Sequence, residues 1–134
     1  MFALILASAC GGGQSRESRL NVRPPRPGVP DKITDVTGIY RTTSQATLQL
    51  RGDGSLSFIV PAPEMGATSG SYRLDSGAFE VRTRSCGELT GNYRIEVRGR
   101  QVAGEAFLVF SAEDDPCTLR ERYLTLQPWF YADS

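Results

Sequence analysis

Residues 46–60 read Ala46-Thr47-Leu48-Gln49-Leu50-Arg51-Gly52-Asp53-Gly54-Ser55-Leu56-Ser57-Phe58-Ile59-Val60. Ala46, Leu48 and Leu50 alternate with Thr47, Gln49 and Arg51, and Leu56, Phe58 and Val60 fall on one face of the following run. Side chains of a strand point alternately to opposite faces, so each run predicts a strand with one apolar face. Gly52-Asp53-Gly54 stands between them, and Asp-Gly readily takes the positive φ of a tight hairpin. The stretch therefore predicts two antiparallel strands sharing an apolar side.

The same period continues on both sides. Gly38–Thr43 precedes the hairpin. Gly70–Leu74, Ala78–Arg84, Asn92–Arg98, Val102–Phe110 and Arg122–Gln127 follow it. Pro61–Thr68 reads as a loop, and Asp75-Ser76-Gly77 and Arg98–Gln101 read as turns. Short helical turns fit only Ile33–Thr37 and the surroundings of Thr118–Arg122. About eight consecutive strands with one apolar face predict an all-β fold, a single small up-and-down antiparallel barrel, because closure removes exposed edges. An eight-stranded interior is just wide enough to be filled by side chains or to hold one small ligand.

The N-terminus has a different character. Met1-Phe2-Ala3-Leu4-Ile5-Leu6-Ala7-Ser8-Ala9 leads to Cys10 and then Gly11-Gly12-Gly13. An apolar run, small residues, a cysteine and a Gly/Ser tract resemble a bacterial lipoprotein signal, which implies cleavage before Cys10 and acylation of its thiol. The apolar run is short and has no basic residue before it, so translation is expected to start further upstream. Residues 1–9 are then the signal peptide and 10–32 a disordered, Gly/Pro/Arg-rich tether. The barrel domain occupies residues 33–134, and the protein is extracytoplasmic and anchored to a bacterial membrane by lipid.

Composition narrows the chemistry. The net charge is zero, but residues 11–32 carry five basic side chains against two acidic ones, and the rest of the chain is mildly acidic. That balance argues against nucleic acid. There is no histidine, which removes Ser-His-Asp and Cys-His nucleophiles and the usual zinc sets. No enzyme activity, cofactor or metal is expected, and a monomer is. With Cys10 used by lipid, Cys86 and Cys117 remain, 31 positions apart. A pair outside the cytoplasm persists as a disulfide.

The C-terminal half resembles small bacterial lipocalin-like lipoproteins of the calycin type. The resemblance rests on Cys86, Gly91-Asn92-Tyr93, Asp114-Asp115-Pro116-Cys117, Arg120, Leu124–Leu126 and Pro128-Trp129. Gly38-Ile39-Tyr40 is similar to the Gly-x-Trp that opens a lipocalin barrel, with Tyr in place of Trp. It implies that Arg120 or Arg122 packs across Tyr40 and plugs one end of the barrel. Surface ion pairing of these arginines with Glu121 or Asp115 is the alternative.

Phe58, Tyr72, Phe79, Tyr93 and Phe110 are the candidate ligand-binding residues, because they fall on the apolar face of their strands and two of them carry a phenol that a ligand could satisfy. The same side chains would equally make an ordinary core. Glu113-Asp114-Asp115 could grip a hard cation or form a solvated acidic turn. Tyr123, Trp129, Phe130 and Tyr131 make an aromatic-rich tail that would either pack or meet a partner. The expected function is binding of a small apolar or amphipathic molecule inside the barrel. The rival expectation is a structural or interaction module of the cell envelope, with a filled barrel.

Overall fold

The computed structural model describes residues 24–61, 66–100 and 105–133. Eight strands follow one another as β1 (Gly38–Arg41), β2 (Thr47–Leu50), β3 (Ser55–Val60), β4 (Gly66–Asp75), β5 (Ala78–Thr83), β6 (Thr90–Arg100), β7 (Glu105–Asp114) and β8 (Trp129–Asp133). Each pairs antiparallel with the next, and β8 returns to β1 to close the barrel. The alternation read from the sequence sets the register. Leu48 lies opposite both Tyr40 and Phe58, and Leu74 lies opposite Phe79. Their side chains meet in one continuous buried core.

The predicted hairpin at residues 51–55 is closed by local chemistry. Gly54 takes φ 89°, and Asp53 Oδ1 accepts from the Ser55 amide at 2.9 Å and its hydroxyl at 2.7 Å. The Asp75–Ala78 connection is also as expected, with Ser76 and Gly77 both at positive φ.

Besides the end of β7, at Asp114 where Phe110 is expected, three boundaries differ from the expectation. β4 begins at Gly66, inside the segment read as a loop; residues 62–65 of that segment lie outside the described residues. β6 runs on to Arg100, through residues read as a turn, and the start of the next expected strand, 102–104, also lies outside. The third correction concerns Arg122–Gln127, which is helical. It belongs to helix α1 (Thr118–Leu126), and the last strand is Trp129–Asp133. Leu124 and Leu126 imitate strand alternation, but Arg120 and Leu124, one helical turn apart, are the pair that is buried.

The two ends of the barrel are covered differently. At the turn end, a 3₁₀ turn (Ile33–Asp35) leads into buried Val36, whose carbonyl accepts the Tyr40 hydroxyl at 2.8 Å. Residues 24–32, expected as part of the tether, lie against the barrel. Gly28 and Val97 exchange two backbone hydrogen bonds of 2.8 Å, and the carbonyls of Pro30 and Asp31 accept from the amides of Gly77 and Ser76. Pro25 and Pro30 are buried. This strap lies beside the part of β6 that outruns β5. At the helix end, α1 directs Arg120 and Leu124 inward, and the Trp129 indole donates to the Leu124 carbonyl at 3.1 Å.

Candidate functional site

The five ring residues expected to line a pocket come together inside the barrel. β5 places Phe79 at the centre. Its ring stacks on Tyr72 at 5.6 Å and meets Phe110 edge-on at 5.1 Å and Tyr93 at 6.4 Å. Tyr93 and Phe110 also meet each other edge-on. Phe58 packs against Trp129, the first residue of β8, at 5.8 Å. All five are at most 3% exposed. Edge-to-face and offset contacts of this kind are the preferred geometry of aromatic pairs, so the rings satisfy one another.

Their phenols are satisfied as well. Tyr72 Oη donates to the Arg51 carbonyl at 2.7 Å, and Tyr93 Oη donates to Asp115 Oδ2. Burial pushes both phenols above the ordinary tyrosine range, and it does the same to Tyr40. Among the described residues, every buried side-chain nitrogen or oxygen has a hydrogen-bond partner.

A polar knot closes the helix end. Arg120 is fully buried on α1, and its guanidinium meets the Asp115 carboxylate through two bonds, Nε to Oδ2 at 2.8 Å and Nη2 to Oδ1 at 2.7 Å. Its remaining donors reach Thr83 Oγ1 at 3.2 Å and the Leu89 carbonyl at 3.0 Å. Asp115 also accepts the Cys117 amide at 2.8 Å. Burial alone would raise the Asp115 carboxyl; the guanidinium, the Tyr93 hydroxyl and the Cys117 amide outweigh it and hold the group below the usual carboxylate value. Cys86 and Cys117 form a disulfide, with Cα atoms 5.8 Å apart. Arg120 and the disulfide thus tie the same two segments, the β5–β6 connection and the turn before α1.

The residues expected as an end plug separate. Tyr40 lies in the core, with its hydroxyl on Val36 and its ring edge-on to Tyr131 at 5.7 Å. Arg120 has the partners given above, and Arg122 is exposed on α1. Of the acidic run, Glu113 and Asp114 are exposed and only Asp115 turns inward. No cluster of three metal-ligating side chains occurs among the described residues. Cys10, the expected lipidation site, lies outside the described residues.

The outer wall carries a depression of about 600 Å³. Ser57 and Ile59 of β3, Ala67 and Ser69 of β4, and Arg84 and Ser85 beyond β5 border it. Nothing in the sequence pattern pointed to it, because each contributor is an unremarkable outward residue. Comparison with known proteins adds no further constraint: the chain matches no protein-family model, no curated protein and no solved structure.

Proposed function

We propose that this protein is a lipid-tethered, extracytoplasmic module of lipocalin-like type, whose barrel is filled and which acts without catalysis, through contacts made by its outer surface. The observation that carries this reading is the packing of Phe58, Tyr72, Phe79, Tyr93 and Phe110 on one another and on Trp129, with both tyrosine hydroxyls bonded inside. A drug-sized ligand needs a cavity of about 300 Å³ or more, and one in the interior would have to displace these rings. The covers at both ends support the same reading. The tether part rests on the Cys10 signal and on the Gly- and Pro-rich residues that follow it.

Two measurements test it. Growth with a labelled fatty acid should mark the chain, and Cys10→Ser should abolish the mark. Titration with a hydrophobic naphthylamine dye should give no saturable uptake. Trp129 is the single tryptophan, so energy transfer from it would report a dye inside the barrel. Uptake of one dye per chain with quenching of Trp129 would overturn the filled-barrel reading in favour of an internal ligand.

A further inference from the structure

The outer wall of the barrel is not uniform. Strand register aligns a row of outward side chains from Arg98 through Phe107, Phe130, Arg41 and Thr47 to Ile59. Ile59 is 45% exposed and Phe130 39% exposed. The rings of Phe107 and Phe130 pair outside the barrel at 5.3 Å. The outward positions of β1, β2 and β3 carry no carboxylate, and β8 ends at Asp133, in register with Ile39.

Arginines dominate the charge on this wall, with Asp53 of the β2–β3 turn beside Arg51. Arg41 projects from β1, and Arg51 lies over Gln49 and Ser57 at 3.1 and 2.6 Å. Arg84 borders the depression of about 600 Å³, with Ser57, Ser69 and Ser85. Neither Arg41 nor Arg84 has an ion-pair partner among the described residues. The opposite wall differs, since Arg73 faces Glu80 across β4 and β5, and at the edge of the row itself Arg98 is paired with Glu96 at 3.0 Å.

Exposed apolar side chains among hydroxyls and unopposed arginines fit an anionic lipid surface. The apolar groups enter the headgroup boundary, and the guanidinium groups meet phosphates. We infer that the wall formed by β8, β1, β2 and β3 docks on an anionic bilayer, with a headgroup phosphate in the depression beside Arg84. The inference rests on the lipid-tethered reading, because an anchor raises the local concentration of bilayer around the barrel. The residues between Cys10 and Pro24 reach at most ~45 Å when extended, so the barrel stays within contact range of its membrane.

The test uses the full chain with Cys10→Ser, which removes any acyl chain, and co-sedimentation with phosphatidylglycerol/phosphatidylethanolamine vesicles or with phosphatidylcholine vesicles. Binding to the anionic vesicles alone is expected, and it should fade at high salt. Arg41→Gln and Arg84→Gln should each weaken it about fivefold, and Ile59→Ser with Phe130→Ser should weaken it further. Arg73→Gln, opposite Glu80 across β4 and β5, should change nothing. Matching urea midpoints confirm that all variants are folded. Binding without preference for anionic lipid, no binding at all, or equal losses from both walls would overturn the inference. Fatty-acid labelling of the unmodified chain reads the tether separately, so a failed anchor and a failed docking wall give different results.

Discussion

Gly91 stands against the carboxylate of Asp115: a β-carbon at Gly91 would fall 2.6 Å from Oδ2 and 2.9 Å from Nη2 of Arg120. The glycine is there for space, and the buried ion pair occupies that space. Gly91→Ala should force the pair apart and lower stability by about 1–3 kcal/mol, the usual cost of overpacking. Urea unfolding at neutral pH measures it. An unchanged midpoint would show that the pair yields without cost.

Asp115 and Arg120 should be worth most when one of them is missing. Asp115→Ala leaves the guanidinium buried without its counter-ion and should cost about 3–5 kcal/mol. Replacing both, as Asp115→Leu with Arg120→Met, should recover much of that loss. A double mutant that is as unstable as the two single losses added would argue against coupling between them. The carboxyl is held below its ordinary value, so its contribution is present above pH ~4 and fades as pH falls through the folded-state value. Acid unfolding of the wild-type chain should begin below pH ~4, and Asp115→Asn should lack this part of the pH dependence.

Buried phenols set the alkaline limit. Tyr40, Tyr72 and Tyr93 are all raised by burial. Their contribution is full below the unfolded tyrosine value of about 10 and is lost as pH rises above it. Each group costs ~1.4 kcal/mol per pH unit there, so three together should lower stability by about 4 kcal/mol per pH unit. Absorbance near 295 nm should show these tyrosines ionising together with loss of circular dichroism. Ionisation of all five tyrosines near pH 10 with the barrel intact would contradict the burial.

Loss of the disulfide should act mainly on the unfolded chain. Cys86 and Cys117 close a loop with a sequence separation of 31, and constraining a loop of that size is worth ~3–4 kcal/mol. Cys86→Ser with Cys117→Ser should shift the urea midpoint accordingly while Arg120 keeps the two segments together. A far smaller shift would mean that the unfolded chain is already held together there.

The core position of Phe79 makes a direct test of packing. Phe79→Ala should cost about 3–5 kcal/mol by leaving a cavity. It should also create uptake of the naphthylamine dye that the wild-type chain lacks. Dye uptake equal in both proteins would mean that a cavity was there already.

Strands β1 to β3 and the inward ring set were legible because they follow from local rules: alternation selects the face, and Asp53-Gly54 and Ser76-Gly77 select the turns. β8 was hidden by its neighbour. Leu124 and Leu126 sit two apart, as in a strand, while the helical pair Arg120 and Leu124 begins with a charged residue that no apolar pattern counts. Trp129, Phe130 and Tyr131 do alternate inward and outward, and that was the signal for β8. The strap was illegible for another reason. Pro24-Pro25-Arg26-Pro27 favours extended chain wherever it lies, and only β6 running past the end of β5 gives Gly28 a partner. Burial of Asp115 with Arg120 likewise depends on Thr83, Leu89 and Tyr93, which lie far from both in the chain.

The filled interior is the claim on which the proposed function turns. Native mass spectrometry of the protein isolated from the cells that make it tests it most directly. The expected result is the mass of the covalent chain, with the acyl groups of the proposed tether, and no small molecule held inside. A small molecule retained at one per chain and lost in Phe79→Trp, which would crowd the interior, would contradict it.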